Sequence, residues 1–376
     1  MSFSFTDEQE EFRGVLRRFL DDKSPTGEVR RLMETDASGD PAVWKQLSDD
    51  LGLPGLCIPE AYGGSGFGFV ELGIVMEEMG RALLCAPYFS SAVLGAQAII
   101  NAGTEDEKRS LLPGIAAGET TATLAFTEPN GRWTADGIAL EAAPSNGHYR
   151  LNGEKSFVVD GHSADLLVVV ARAPGTSGTD GLSFFTLPRE TDGVSSRLLN
   201  GVDPTRKIAH LSFANADATP LGELGQGADP LATTLQQACV ALANEMAGGT
   251  AKLFESAIDY TKMRMQFGRV IGSFQAIKHK CADMLIEVEL CKSAVYFAAA
   301  AVAEGNPDAP ALSSLAKASA SDAYMSTAAN TIQLHGGIGF TWDNDTHLWY
   351  KRAKGSEAFL GDATFHREQL MHHWEV

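Results

Sequence analysis

The chain has 376 residues, of which 44% are hydrophobic and 21% charged, and it carries a formal net charge of −18. That length suits two or three domains with a buried core, and the composition is that of an ordinary globular protein. The acid excess excludes a nucleic-acid binder, which needs a basic face to neutralise phosphates, but it leaves room for an anionic ligand held by a local basic patch.

At the N-terminus, Thr6-Asp7-Glu8-Gln9 reads as a capping box opening a helix, with Phe12, Val15, Leu16 and Phe19 on one face. No basic and apolar leader is expected, and no apolar run approaches the roughly 20 residues that span a bilayer. Apolar residues recur at helical spacing in Phe12–Leu20, Val43–Leu51, Phe69–Leu84 and Ser91–Ala102. The segment Pro59–Gly66 holds too many glycines for a helix and should be a loop. Residues 1–120 therefore read as a helical domain.

From 121 to 228 the pattern becomes short runs of β-formers: Thr121–Phe126, His148–Leu151, Ser156–Val159, Leu166–Ala171, Leu182–Leu187 and His210–Phe213. Asn152-Gly153 and Asp160-Gly161 read as turn dipeptides at strand ends. This spacing leaves no room for intervening helices, so a small antiparallel barrel or sandwich is expected. Residues 229–376 return to helix in Leu231–Met265, Phe274–Ala303, Ala309–Leu334 and Thr346–His372, which read as a four-helix bundle. No strand is followed by GxGxxG, which disfavours a nicotinamide site of the Rossmann type. Five scattered cysteines without a CxxC or a Cys/His cluster argue for no metal site and a reducing compartment, so the expected location is cytoplasmic.

Two segments carry chemistry. In the first, Tyr260 and Arg264 lie four apart on one helical face, Phe267-Gly268 ends that helix, and Phe274-Gln275 opens the next. A guanidinium fork at a helix end matches paired phosphate oxygens; its bland alternative is an exposed arginine that complements the helix dipole. In the second, Gln333-Leu334-His335-Gly336-Gly337 closes a helix on adjacent glycines.

These segments resemble the flavin-contacting signatures of the acyl-CoA dehydrogenase family. The resemblance extends over the chain through the order helix, β, helix, the Pro59–Gly66 loop, Thr127-Glu128-Pro129 and Leu151-Asn152-Gly153-Glu154-Lys155. It implies the acyl-CoA dehydrogenase fold, FAD as cofactor, and α,β-dehydrogenation of an acyl-CoA with electrons passed to an electron-transfer flavoprotein. It also implies that Arg264, Phe267, Phe274, Gln275, Gln333, Gly336 and Gly337 reach the ADP half of a neighbouring subunit's FAD, which makes the protein an oligomer. Thr127, Phe157 and Val159 would line the subunit's own flavin. Where the family usually has a hydroxyl that reaches the flavin, this chain has Val159, whose side chain donates nothing. Phe157 and Val159 also suit a plain strand core.

The reaction needs a carboxylate to take an α-proton. By resemblance the two usual positions of that acid fall on Leu360 and Ala238, which are both inert. Glu245, in an alanine-rich helix, and Asp362, at a helix start, remain as candidates. Glu245 reads either as the base or as half of an ion pair with Lys280, Lys354 or Arg352, because a buried acid needs a partner. Asp362 reads as a base or as a contact at a helix N-terminus. Glu245 together with Leu360-Gly361-Asp362-Ala363 looks like bacterial members built from paired homologous subunits. Rivals to a self-sufficient homo-oligomeric dehydrogenase are therefore a non-catalytic partner subunit, or other flavin chemistry such as nitroalkane oxidation or desulfination.

Overall fold

The computed structural model describes residues 5–145 and 148–375. In chain order the helices before the sheet are α1 (Asp7–Lys23), α2 (Thr26–Met33), α3 (Pro41–Asp49), α4 (Phe69–Ala82), α5 (Ala96–Ala102) and α6 (Glu105–Ala116). The strands β1 (Ala122–Ala125), β2 (Glu141–Ser145), β3 (His148–Val159), β4 (Leu166–Arg172), β5 (Leu182–Pro188), β6 (Val194–Leu198) and β7 (Ile208–Leu221) follow. Then come α7 (Ala228–Met263), a hairpin of β8 (Met265–Gln266) and β9 (Arg269–Val270), α8 (Gln275–Ala303), α9 (Ala309–His335), α10 (Thr346–Ala358) and α11 (Ala363–His373). Among the described residues, no helix is long and apolar enough to cross a membrane.

The chain divides into two compact units. The first comprises residues up to Arg30, Phe69–Leu84 and everything from Cys239 onward. Its entry helix begins as the sequence dictates: the Gln9 amide donates to Thr6 Oγ1 at 3.2 Å while the Thr6 amide donates to Gln9 Oε1 at 3.0 Å, which satisfies two otherwise orphaned donors. Helix α4 packs on α1 and α8, and α9 lies against α8, α10 and α11. The crossing of α4 with α7 depends on glycine. A Cβ on Gly80 would stand 1.9 Å from the Glu245 carbonyl oxygen, and one on Gly248 would stand 1.8 Å from the Glu77 carbonyl oxygen. The two backbones thus touch at the turn of α7 that carries Glu245.

The run Thr346–His372, expected as one helix, is two, because Phe359–Asp362 breaks it. Leu360 at φ +61° and Gly361 at φ +102° leave the helical region, and Asp362 restarts the helix by accepting the Phe365 amide at 2.8 Å.

The second unit comprises residues 31–68 and 85–238. Strands β4, β2, β3, β7 and β5 pair in that order, and β5 returns to β4, so the sheet closes on itself. Inward-facing Leu151, Val158, Leu167, Val169, Phe185, Leu187, Leu211 and Phe213 fill it. The pairing is mostly antiparallel, but β1 runs parallel to β4. Asn152-Gly153 is not a hairpin turn: it lies inside β3, beside a register shift between Leu151 and Asn152. Residues 146–147, between β2 and β3, lie outside the described residues. Polar β2 and β6 show no apolar alternation, which hid them from a reading by hydrophobic pattern.

Candidate active site

In the first unit, helix α7 ends at Met263, four residues before the expected Phe267-Gly268 stop. Arg264 follows it, and Phe267 (φ +53°) with Gly268 (φ +76°) forms the tip of the β8–β9 hairpin. Two consecutive positive φ values give the tight turn whose twist suits a two-residue hairpin. The Arg264 amide donates to the Tyr260 carbonyl at 2.9 Å, and the Arg264 carbonyl accepts the Ile271 amide at 2.8 Å, so the arginine backbone is fixed on both sides.

Tyr260 joins this segment to the second motif. Its ring stacks on His335 with centroids 4.1 Å apart, and its hydroxyl donates to the His335 carbonyl at 3.3 Å. His335 is held in turn by Nδ1–H donating to the Thr331 carbonyl at 2.8 Å, and burial pushes its pKa down. The imidazole is thus a helix-end contact. Gly336, with φ +63° and ψ −143°, occupies backbone space open only to glycine.

The structure therefore brings Arg264, Phe267, Phe274, Gln275, Gln333, Gly336 and Gly337 to neighbouring ends of α7, α8 and α9. All of these but Phe274 and Gly336, which are half-buried, are exposed. Phe267 is 90% exposed and Phe340 79%, an extent of bare aromatic surface that suits a ligand or a neighbouring chain. Residues 262–282 hold Lys262, Arg264, Arg269, Lys278 and Lys280 with no acid, inside a chain of net charge −18. An added Cβ on Gly336 or Gly337 would meet nothing within 4 Å, so the backbone there is open to close approach. Local cations, exposed aromatic rings and an open glycine backbone fit the pyrophosphate and adenosine half of FAD.

In the second unit, Phe157 sits at φ +60° where β3 slips register against β7 between Lys155 and Val158. The bulge leaves its ring 37% exposed and tilted against Trp133, with centroids 6.4 Å apart. Thr127 and Val159 are buried, and the Val159 carbonyl accepts Thr123 Oγ1. Glu128 serves the fold. Its Oε1 accepts the Ala139 and Leu140 amides and pairs with the buried Lys155 ammonium at 2.7 Å. Burial pushes Lys155 down to about 8, against the pull of Glu128. Arg206 stands over the Phe89 ring, 5.5 Å from its centroid.

The two candidate acids have clear surroundings. Glu245 is buried and forms an ion pair with Arg352 of α10, which is also buried. Asp362 is exposed and caps α11. Ala238 and Leu360 are both buried.

The turn between α10 and α11 holds a group that motif reading passed over. His366 is 4% exposed, and its Nε2–H donates to the Leu360 carbonyl at 3.0 Å. Burial, and then the charge of Lys317, push its pKa down to about 4. The folded imidazole thus stays neutral while the unfolded one protonates near 6.5, so unfolding takes up a proton between those values. Stability contributed by neutral His366 is complete above pH 6.5 and is lost as pH falls towards 4, by about 3 kcal/mol over the window. His366→Gln is expected to flatten that part of a stability-versus-pH curve; an unchanged slope would refute the assignment.

Comparison with known proteins agrees with this geometry. Family models described as acyl-CoA dehydrogenase N-terminal, middle and C-terminal domains match residues 6–119, 123–216 and 225–374. The chain is 32% identical over 333 residues to acyl-CoA dehydrogenase IpdE2 of Mycobacterium tuberculosis, covering 88% of this chain and 86% of that one. It superposes on butyryl-CoA dehydrogenase from Megasphaera elsdenii with a TM-score of 0.93 at 27% identity, over 100% of both chains. A chain of the ChsE4-ChsE5 complex from Mycobacterium tuberculosis gives a TM-score of 0.89 at 26% identity, over 100% of both chains. The chain belongs to the acyl-CoA dehydrogenase family, an oxidoreductase whose cofactor is FAD.

Proposed function

We propose that the chain works in an oligomeric dehydrogenase that oxidises an acyl-CoA thioester to its 2-enoyl-CoA and passes the electrons to an electron-transfer flavoprotein. FAD, when bound, supplies the two-electron acceptor for the hydride that leaves the β-carbon. The observation that carries this reading is the outward-facing cluster at Arg264, Phe267, Phe274, Gln275, Gln333, Gly336 and Gly337. It is exposed, locally basic and joined through Tyr260–His335, as a site shared with a neighbouring subunit requires. Arg264 would hold the pyrophosphate and the glycine turn would let the cofactor approach the backbone. Thr127, Phe157 and Val159 would line the subunit's own flavin, with Phe157 offering a ring face and Val159 only backbone.

Glu245 is the acid we assign to the α-proton. It is buried within the helix α7 and lies in an ion pair with Arg352, which gives the buried carboxylate the counter-charge it requires. Asp362, exposed and occupied as a helix cap, is assigned to orienting its turn. The same Arg352 contact also favours a second reading, because a carboxylate engaged in a buried ion pair can serve the fold alone. In that reading a paired homologous chain supplies the base and this chain holds FAD for it.

The visible spectrum of the purified protein separates the two. A protein carrying equimolar FAD that acyl-CoA bleaches supports the first reading. A chain that acquires FAD only when a second, different chain is co-expressed supports the other.

A further inference from the structure

We propose that Trp133 contacts the flavin of its own subunit: with Phe157 it forms an aromatic wall on which the isoalloxazine ring lies. Stacking then supplies on this side the hold that the Val159 side chain, which donates nothing, does not. This rests on the reading above, in which Thr127, Phe157 and Val159 line the subunit's own flavin. Every residue that carries the argument belongs to the second unit.

Three rings form a ladder. The Trp133 centroid lies 6.0 Å from that of Phe126 and 6.4 Å from that of Phe157, with interplanar angles of 53° and 46°. Phe126 is buried, Trp133 half-buried and Phe157 partly exposed, so the ladder runs from the interior to an open face. Phe157 stands outside because of the bulge: Ser156, Val158 and Val159 beside it are all buried. Its φ of +60° is costly for an aromatic residue, and strain of this kind is kept where it serves a site.

The loop that carries Trp133 holds its shape without the indole. The Asn130 side chain accepts the Arg132 amide at 2.9 Å and donates to the Gly137 carbonyl at 2.6 Å. The Gly131 amide donates to the Glu128 carbonyl at 2.9 Å, and Arg132 pairs with Asp136 at 2.8 Å. Loop and bulge are also fixed to each other. The Ser156 amide donates to the Thr127 carbonyl at 2.9 Å, and Lys155 Nζ donates to the Phe126 carbonyl at 3.0 Å. The indole is thus in place before a ligand arrives, and binding orders little. Its face suits a planar fused heteroaromatic ring, which it holds without a hydrogen bond.

The test uses the FAD-loaded assembly and reads the emission and the release of FAD. An indole in contact with an excited flavin donates an electron to it and quenches its fluorescence, whereas a phenyl ring does not. Trp133→Phe, which keeps a ring in the ladder, is expected to brighten bound FAD. Trp133→Ala should weaken FAD binding about tenfold, as for the loss of one stacked ring, and Phe157→Leu should weaken it through the other half of the wall. If Trp133→Ala does not fold, the emission of Trp133→Phe decides alone.

Wild-type emission from Trp133→Phe, with FAD weakened in Phe157→Leu, overturns the proposal and leaves the flavin reading standing. If none of the three variants changes the emission or the affinity of FAD, or if the wild-type assembly takes up no FAD, that reading falls with it.

Discussion

Arg352→Leu is expected to lower the stability of the first unit by about 3–5 kcal/mol, because it leaves the Glu245 carboxylate buried beside an apolar side chain. The double change Glu245→Met with Arg352→Leu should recover most of the loss, since an apolar pair of similar volume carries no desolvation cost. Denaturant unfolding of the two variants against the wild type checks this. A single change that costs under about 1 kcal/mol would mean that the pair is solvated and contributes as little as a surface bridge.

Lys155→Met is the second large effect. It removes the ammonium that pairs with Glu128 while leaving that carboxylate buried on the Ala139 and Leu140 amides. Those two bonds retain part of the charge stabilisation, so the expected cost is about 3 kcal/mol, at the low end for a broken buried pair. The pH dependence has a definite sign. Folded Lys155 releases its proton near 8 and the unfolded lysine near 10.5, so the unfolded chain binds more protons between those values and stability rises with pH. The variant should lose that rise. Thermal melts of both proteins at pH 7.5 and pH 9.5 read both effects, and a contribution from Lys155 that falls across that interval would contradict the assignment.

The parts of the fold that were legible in the sequence are those set by local chemistry. Thr6 with Gln9 specified a helix start because both groups of a capping box lie within one turn. Asp160-Gly161 is a turn, and Asp160 takes a positive φ of +53° there. The misread parts are those where distant residues decide. Asn152-Gly153 has hairpin chemistry, yet β7 pairs along both sides of it and absorbs it as a bulge. Thr346–His372 keeps a continuous helical pattern, and Lys317 and His366, the donors that hold the break open, lie outside that break. Phe267-Gly268 looked like a helix stop and is a hairpin tip, because its two positive φ values satisfy both descriptions in sequence.

The candidate site divides in the same way. Arg264, Gln275, Gln333 and Gly336, the proposed FAD contacts, could be singled out in the sequence because helix ends, glycine positions and order along the chain are local signals. For Glu245 the sequence left three cations as possible partners. Only folding selects Arg352, because α10 must first pack beside α7.

Dehydrogenation by this chain itself, with Glu245 as proton acceptor, is tested most directly by anaerobic titration of FAD-loaded Glu245→Gln with the acyl-CoA that bleaches the wild type. FAD should remain bound and its visible band should not bleach. Bleaching at the wild-type rate would contradict the assignment and move the base to a partner chain.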